Sequence, residues 1–223
     1  MLKVIQHLYM APLLISTLLG MKTFRRNWPA PYKTFSVLLL CILFVEIMAL
    51  LWKTVFYKIQ NWPWSDSNLW LYNSFLIPQY LLYIAVYYQV ISGAKMKRVI
   101  LITGIVFTLL AIINLIFFQS IYAINSYTLI MASGIIIFLT VTYFEQLRKE
   151  KEIIRLTAHP MVWISLGAFL FHAANLPYMI GLSYLTRNNI SLAIALFYVY
   201  MTLNCIMYTF YSFAFLCKHP HRK

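Results

Sequence analysis

Charged residues are scarce in this chain of 223 residues: they make up 10% of it, and only five are acidic. Soluble domains carry about 25% charged residues. Hydrophobic residues reach 62%, so a single water-soluble core could not hide them and lipid must solvate part of the surface. The short alternating segments of membrane barrel strands are also lacking. Continuous apolar runs such as 38–48 and 99–118 indicate membrane-spanning helices instead.

At membrane depth, the chain has few residues of the types that catalyse reactions or bind metals. His172 is the only deep histidine and Glu46 the only deep carboxylate, which argues against a multi-histidine zinc hydrolase and a paired-carboxylate hydrolase. The last span has no buried lysine for a retinal Schiff base. The three cysteines show no paired spacing, and no phosphate loop or nucleophile elbow occurs. We therefore assign no catalytic residue, expect no cofactor and expect no metal.

Seven segments are long and apolar enough to span a bilayer, which takes about 20 residues each. The predicted fold is an all-α, polytopic seven-transmembrane helix bundle that forms one domain over residues 1–223. Proline-containing loops at 28–31 and 61–68 separate helices, because the residue before a proline avoids the helical conformation. The predicted helices are 4–20, 34–56, 68–91, 99–119, 122–144, 160–185 and 189–217.

Positive residues are distributed unevenly between the two predicted faces of the membrane. Fourteen of the eighteen Lys and Arg follow helices 1, 3, 5 and 7, and four lie on the other side. Since positive residues mark the cytoplasmic face, we expect an outside N-terminus and a cytoplasmic C-terminus in a bacterial inner membrane. The same distribution explains the net charge of +13 without nucleic acid as a partner.

Polar side chains at similar depths in several spans are candidate ligand-binding residues. Glu46 lies roughly 18 Å into the second span by the rise of an α-helix, where a carboxylate costs about 2.5–3.5 kcal/mol in lipid. We therefore expect it to face inward, with His172 as its candidate partner. The third helix adds a polar, aromatic face. The predicted ligand-binding set is Glu46, Gln79, Tyr83, His172, Asn175 and Asn204.

Two less specific interpretations of polar and proline residues stay open. Asn114, Asn175 and Asn204 could serve as interhelical hydrogen-bonding groups, worth about 0.6 kcal/mol each. Pro78 and Pro177 interrupt two helices, and broken helices near a polar midplane are typical of transporter sites, although membrane helices also tolerate simple kinks. Pro78-Gln79 resembles the Pro-Gln pair of seven-helix sugar and cystine transporters, without a second copy in the sixth helix.

Four stretches carry a resemblance over nearly the whole chain. They are 68–73 (NLWLYN), 159–165 (HPMVWIS), Leu176-Pro177 and 212–217 (SFAFLC). Together they resemble the uncharacterised small seven-helix integral membrane proteins of Bacteroidota, which are similar in architecture to the membrane input modules of bacterial sensor kinases. In that family a Glu–aromatic pair usually stands where Gln79-Tyr80 stands here, so this chain departs from the family there.

Three functions are compatible with these observations. The first is a receptor-like or sensory module that binds a small ligand between its helices; with only a short tail after helix 7, it would need a cytoplasmic or membrane partner protein for output. The second is a small-molecule transporter that uses Pro78 and Pro177 as hinges. The third is an intramembrane enzyme with Glu46 and His172 as acid and base. The lipid bilayer is a partner in all three.

Overall fold

The computed structural model describes residues 7–56, 66–149 and 158–217. Within these ranges the chain forms seven α-helices and one π-helical turn, without strands. The elements are α1 (Met10–Arg25), α2 (Ala30–Val55), α3 (Leu69–Val90), α4 (Ala94–Ile113), the π turn (Asn114–Phe118), α5 (Ser126–Lys149), α6 (Pro160–Asn188) and α7 (Ile190–Leu216).

Six of the helices, α2 to α7, are long and apolar enough to cross a bilayer. The chain is therefore an all-helical, multi-pass membrane protein, as predicted. The first predicted span, 4–20, has no counterpart among the six, because α1 has only 16 residues. At 1.5 Å per residue it is about 24 Å long, short of the roughly 30 Å of a hydrocarbon core.

The first helix begins later than the predicted 4–20. Residues 1–6 lie outside the described part of the chain, residues 7–9 form a turn, and α1 continues to Arg25. Pro12 explains the late start: it has no N–H to donate, which costs nothing in a first turn where N–H groups are unpaired anyway. At the other end Asn27 adopts a positive φ of 53°, which ends the helical run.

The fourth and fifth helices also differ from the predicted 99–119 and 122–144. Gly93 has a φ of 95°, a conformation that favours glycine, so α4 starts directly after it, at Ala94. Residues 119–125 form a loop because Asn73 Nδ2 donates to the carbonyl oxygens of Ile121 and Ala123, at 2.6 and 2.7 Å. These bonds hold the loop backbone away from a helical path, and α5 starts only at Ser126.

The helices pack as neighbours along the chain, with α1 between α2 and α7. Two glycines permit close approach: a Cβ on Gly20 would lie 3.0 Å from Ser36 Oγ, and one on Gly167 would lie 3.1 Å from the carbonyl oxygen of Met207. Small residues serve the same purpose in membrane helix interfaces generally. The outer helix α4 packs on α3 and α5 and exposes apolar side chains such as Leu101 and Leu109 toward lipid.

Contacts between helix ends gather the basic segments at one end of the bundle. Gln89 Nε2 on α3 donates to Thr34 Oγ1 on α2 at 3.0 Å, and the Ser92 N–H donates to Gln146 Oε1 on α5 at 3.1 Å. The Trp28 ring before α2 lies 6.2 Å from the Phe215 ring near the end of α7. This basic end carries Lys22, Arg25, Arg26, Lys33, Lys95, Lys97, Arg98, Arg148 and Lys149.

The opposite end of the bundle carries few positive charges. Lys53 lies in the last turn of α2 and Arg187 in the last turn of α6. Seven further cationic residues lie outside the described ranges: Lys3, Lys58, Lys151, Arg155, Lys218, Arg222 and Lys223. The described charges thus separate between the two ends in the way the sequence predicts.

Candidate functional site

A central cavity of about 500 Å³ lies between the helices, within the size range of small-molecule sites. Side chains from α1, α2, α3, α5, α6 and α7 form its wall. The structure brings all six sequence-predicted residues into this wall: Glu46, Gln79, Tyr83, His172, Asn175 and Asn204. Their role in ligand binding stays a prediction, while their convergence on one cavity is a property of the fold.

The cavity opens at the opposite end and extends to the middle of the bundle. The exposed residues His7 and Lys53 lie in its outer wall, as does Asn68 at the start of α3. Tyr83, buried to 2% exposure, marks its inner limit. The α3 segment between Asn68 and Tyr83 rises roughly 22 Å, so the cavity is a deep well.

Below the well, packed side chains close the half of the bundle toward the basic end. The hydroxyl groups of Tyr83 and Tyr211 are hydrogen-bonded at 2.9 Å, and the Phe35 ring packs edge-on against Tyr211 at 4.8 Å. Next to them the Tyr87 hydroxyl donates to Ser165 Oγ at 3.1 Å. All five residues are buried, so the well has a floor.

Glu46 lies at the junction of three helices. The hydroxyls of Tyr9, which precedes α1, and Tyr72 on α3 both donate to its Oε2 atom at 2.8 Å. Hydrogen bonds to a carboxylate are about twice as strong as neutral ones. Its other oxygen, Oε1, has no hydrogen bond from any residue that the structure describes, and it is the part of the carboxylate left for a ligand.

The predicted pairing of Glu46 with His172 is wrong. His172 Nδ1 is hydrogen-bonded to Ser133 Oγ at 3.2 Å, and the partners of Glu46 are the two tyrosines. The reason lies in the packing: α2 lies against α1 and α3, whereas α6 lies against α5 and α7. The two side chains share a depth and a cavity, but they belong to different parts of its wall.

A buried hydrogen-bonded chain links α5 and α6. Asn175 Nδ2 donates to Ser133 Oγ at 2.9 Å. The same Ser133 hydroxyl group is hydrogen-bonded to His172 Nδ1 at 3.2 Å, so three polar side chains from the two helices form one chain. Asn175 Oδ1 is left without a partner although the residue is 1% exposed, and such an atom costs about 1–3 kcal/mol.

Two further amides in the wall are available to a ligand. Within the described ranges, the side chains of Gln79 and Asn204 form no hydrogen bond. Asn114, in contrast, holds the loop before α5: its Nδ2 donates to Gln119 Oε1 and Thr128 Oγ1, both at 3.0 Å. Asn114 therefore fits the structural interpretation. Asn175 fits it too through its interhelical bond to Ser133, although Asn175 and Asn204 also line the cavity.

Aromatic rings complete the wall of the well. The Tyr200 ring stacks on Tyr178 at 5.3 Å and lies 5.2 Å from the Phe171 ring. The Tyr208 ring stacks on Tyr9 at 6.5 Å. Tyr9, Tyr200 and Tyr208 are not among the residues predicted from the sequence. The four-residue spacing of Tyr200, Asn204 and Tyr208 along α7 is a signal that indicates two of them.

A second cavity, of about 480 Å³, is a groove between α3 and α4. Its lining is almost wholly apolar and includes Leu81, Ile84, Gly104 and Leu109. Because α4 lies at the periphery of the bundle, this apolar groove is on the surface that faces lipid. In the part of the chain that the structure describes, no group of three His, Cys, Asp or Glu side chains could hold a metal ion.

No family model, curated protein or solved structure matches this chain. The fold and the site therefore define its class by themselves: an all-helical, multi-pass membrane protein with a polar and aromatic cavity between its helices. The resemblance to seven-helix proteins of Bacteroidota stays a prediction carried by its four stretches of sequence.

Proposed function

We propose that this protein is a receptor-like, sensory membrane module that binds a small ligand in the central cavity. The observation that carries the proposal is the one-ended well, whose wall holds unpartnered polar atoms from several helices. Glu46 Oε1 and the side-chain amides of Gln79 and Asn204 belong to that wall. Such a site contacts six helices at once, so a bound ligand can shift their relative packing and signal to a partner protein.

We further propose that the bundle crosses a bacterial inner membrane seven times. The α1 helix packs between two spanning helices, and a short helix can cross where the bilayer thins around it. The positive charges at the basic end support placing that end in the cytoplasm. In this orientation the well opens outward, toward the environment that a sensor samples.

A transporter is the second candidate, supported by two prolines beside the cavity. Pro78 lies inside α3 and Pro177 inside α6, and their neighbours Gln79 and Tyr178 line the wall. Each proline removes one helical hydrogen bond and is expected to bend its helix. A transporter, however, must also open its other side, which requires separating the buried Tyr83–Tyr211 contact.

An enzyme is the third candidate, and it has less support from the contacts of the two residues. An acid–base pair must reach the same reacting group. Glu46 and His172 line one cavity, but Glu46 is held by Tyr9 and Tyr72, whereas His172 is held by Ser133. An enzyme with Glu46 and His172 as acid and base stays a prediction.

The proposal is tested with the purified full-length chain in lipid nanodiscs. A small-molecule library is screened for compounds that raise the thermal unfolding temperature. The screen is repeated with Met201→Trp, which places a bulky ring in the cavity wall. Val199→Trp is the matched control, since Val199 lies on the same helix and is 52% exposed to lipid.

We expect a set of compounds to stabilise the native chain and Val199→Trp but not Met201→Trp. A ligand that stabilises Met201→Trp equally, or a screen without any ligand, would contradict the proposal. Liposome uptake separates the two candidate functions: a receptor binds the compound without accumulating it, whereas accumulation inside the liposomes would establish the transporter instead.

A further inference from the structure

We propose that the ligand is a small organic cation, an amine or quaternary ammonium ion with an apolar body, whose charge lies beside Glu46. This inference rests on the proposed function, because it names the chemistry of a ligand for the same cavity. It follows from the charge of the wall, from the aromatic rings that line it with Glu46 and from the unpartnered amide groups in it.

Glu46 is the one acidic residue in the described cavity wall. Among the described residues, no lysine, arginine or histidine forms an ion pair with it. The two tyrosine hydroxyls solvate Oε2 but bring no positive charge. A carboxylate away from water requires a compensating charge to be stable in its ionised form, and a bound ammonium group would supply one at Oε1.

The other ionisable groups of the wall form no ion pair with Glu46, although His7 at the mouth has a favourable electrostatic interaction with it. His172 is 2% exposed and is hydrogen-bonded to Ser133 on α5 rather than to Glu46, and burial disfavours a positive charge on its ring. His7 and Lys53 are exposed at the mouth. Lys53 lies two helical turns from Glu46, about 10 Å along α2, so it would repel a second positive charge on the outer part of a ligand.

Tyrosine rings line the cavity together with Glu46. The hydroxyl of Tyr9, just before α1, donates to the carboxylate while its ring stacks on Tyr208 of α7. Tyr200, two helical turns before Tyr208 on α7, lines the same cavity. Cations are attracted to the faces of such rings, and aromatic cages are a general means of recognising quaternary ammonium ions.

The remaining wall fits the body of such a ligand. Phe197, Met201 and Met207 supply apolar surface from α7. The amide oxygens of Gln79 and Asn204, which line the cavity and have no hydrogen bond among the described residues, are acceptors that an N–H or O–H group of the ligand could satisfy. Because the described wall contains unpartnered acceptors, it suits a ligand that donates hydrogen bonds and carries a positive charge.

The test uses three cations and matched uncharged or anionic compounds on the full-length chain in nanodiscs. The cations are phenethylamine, hexylamine and tetraethylammonium; the comparison compounds are 2-phenylethanol and phenylacetate. Binding is measured by calorimetry and by the shift in unfolding temperature. We expect at least one cation to bind at tenfold or more lower concentration than the alcohol or the carboxylate.

Three variants locate the bound charge. Glu46→Gln keeps an acceptor for both tyrosines and should fold, but it should abolish the preference for the cation. Tyr200→Leu should weaken cation binding by up to about thirtyfold, since a desolvated cation–π contact contributes that much. Tyr200→Phe is its control: it keeps the ring, and the Tyr200 hydroxyl has no hydrogen bond among the described residues, so binding should be retained.

The outcomes separate this inference from the proposed function. If the alcohol or phenylacetate binds as well as every cation and Met201→Trp abolishes that binding, the cavity is a ligand site and the cation assignment is overturned. If a cation binds but Glu46→Gln, verified to be folded, binds it equally, the assignment is overturned as well. If the wider library yields no ligand either, the proposed function fails with it.

Discussion

Two tyrosine hydroxyl groups, one on each side of α2, hold the Glu46 carboxylate in place by hydrogen bonds. Removing either donor should destabilise the protein, because a hydrogen bond to a charged group contributes about 1.5–3 kcal/mol. We therefore expect Tyr72→Phe to lower the free energy of unfolding by that amount, measured by denaturation in mixed micelles. Ser74→Ala is the control on the same helix, since the exposed Ser74 hydroxyl bonds only the carbonyl of Trp70 within α3.

A pair of double-mutant cycles tests the partners assigned to Glu46. Glu46→Gln combined with Tyr72→Phe should deviate from additivity by more than about 0.5 kcal/mol, since the two side chains are in contact. Glu46→Gln combined with His172→Gln should add within about 0.5 kcal/mol, because the two residues share no hydrogen-bond partner. Coupling in the second cycle and additivity in the first would reverse the assignment.

The sequence predicted which residues face the cavity but not which of them touch. Depth along a helix follows from residue spacing, and the cost of polar groups in lipid turns them inward; both arguments hold for Glu46, Gln79 and Asn204. Contact also depends on the rotation of each helix and on which helices are neighbours. No spacing rule places Tyr9 beside Glu46, because that contact depends on how α1 docks between α2 and α7.

Helix positions were predictable to within a few residues wherever a long apolar run defines them. α6 begins at Pro160 as expected, because proline is favoured in a first helical turn. The errors arise at single polar or special residues. Pro12 delays α1, Gly93 starts α4 early, and the side chain of Asn73 captures loop carbonyls before α5. A hydropathy profile cannot predict such a tertiary contact, because it records only the average polarity of a segment.

The loop before α5 gives a prediction at the level of an element. Asn73→Ala removes two donors to the carbonyls of Ile121 and Ala123 and should destabilise the protein by about 1–3 kcal/mol. The loop should also become more open to exchange, which hydrogen–deuterium exchange of residues 119–125 would measure. Equal exchange in the variant and the native chain would show that the loop is held by other contacts.

Close packing of α6 on α7 gives a second prediction at this level. In Gly167→Ala the new methyl group would meet the carbonyl oxygen of Met207 at 3.1 Å and the Tyr211 ring at 3.2 Å. The backbone atom cannot rotate away, so overpacking should cost about 1–3 kcal/mol. The unfolding free energy in mixed micelles measures this cost.

Gly134→Ala is the matched control for Gly167→Ala. It lies inside α5, where an added methyl group meets nothing within 4 Å, and alanine is favoured over glycine in a helix by up to about 1 kcal/mol. We expect it to be neutral or stabilising. Equal losses in both variants would show that glycine is needed for a reason other than space between α6 and α7.

For the whole molecule, the uneven charge of the two ends predicts its orientation in the membrane. Each Lys or Arg near an anionic leaflet contributes about 1 kcal/mol of attraction, and the basic end holds most of the described positive charges. We expect single-cysteine substitutions at Arg25 and Lys97 to be shielded in intact cells and one at Arg187 to react with an impermeant maleimide. The background chain has Cys41, Cys205 and Cys217 replaced by serine.

Permeabilised cells provide the control, because all three substitutions should then react. The reverse pattern in intact cells would place the basic end outside and the mouth of the well in the cytoplasm. The cavity would be unchanged, but its ligand would come from cell metabolism, and a sensor of the environment would no longer fit. Five helices, α2 to α6, lie between Arg25 and Arg187. If Arg25→Cys and Arg187→Cys were labelled from the same side, an odd number of these five helices would not cross the membrane. Orientation therefore decides which solution the ligand comes from, while Glu46 and its tyrosines decide its chemistry.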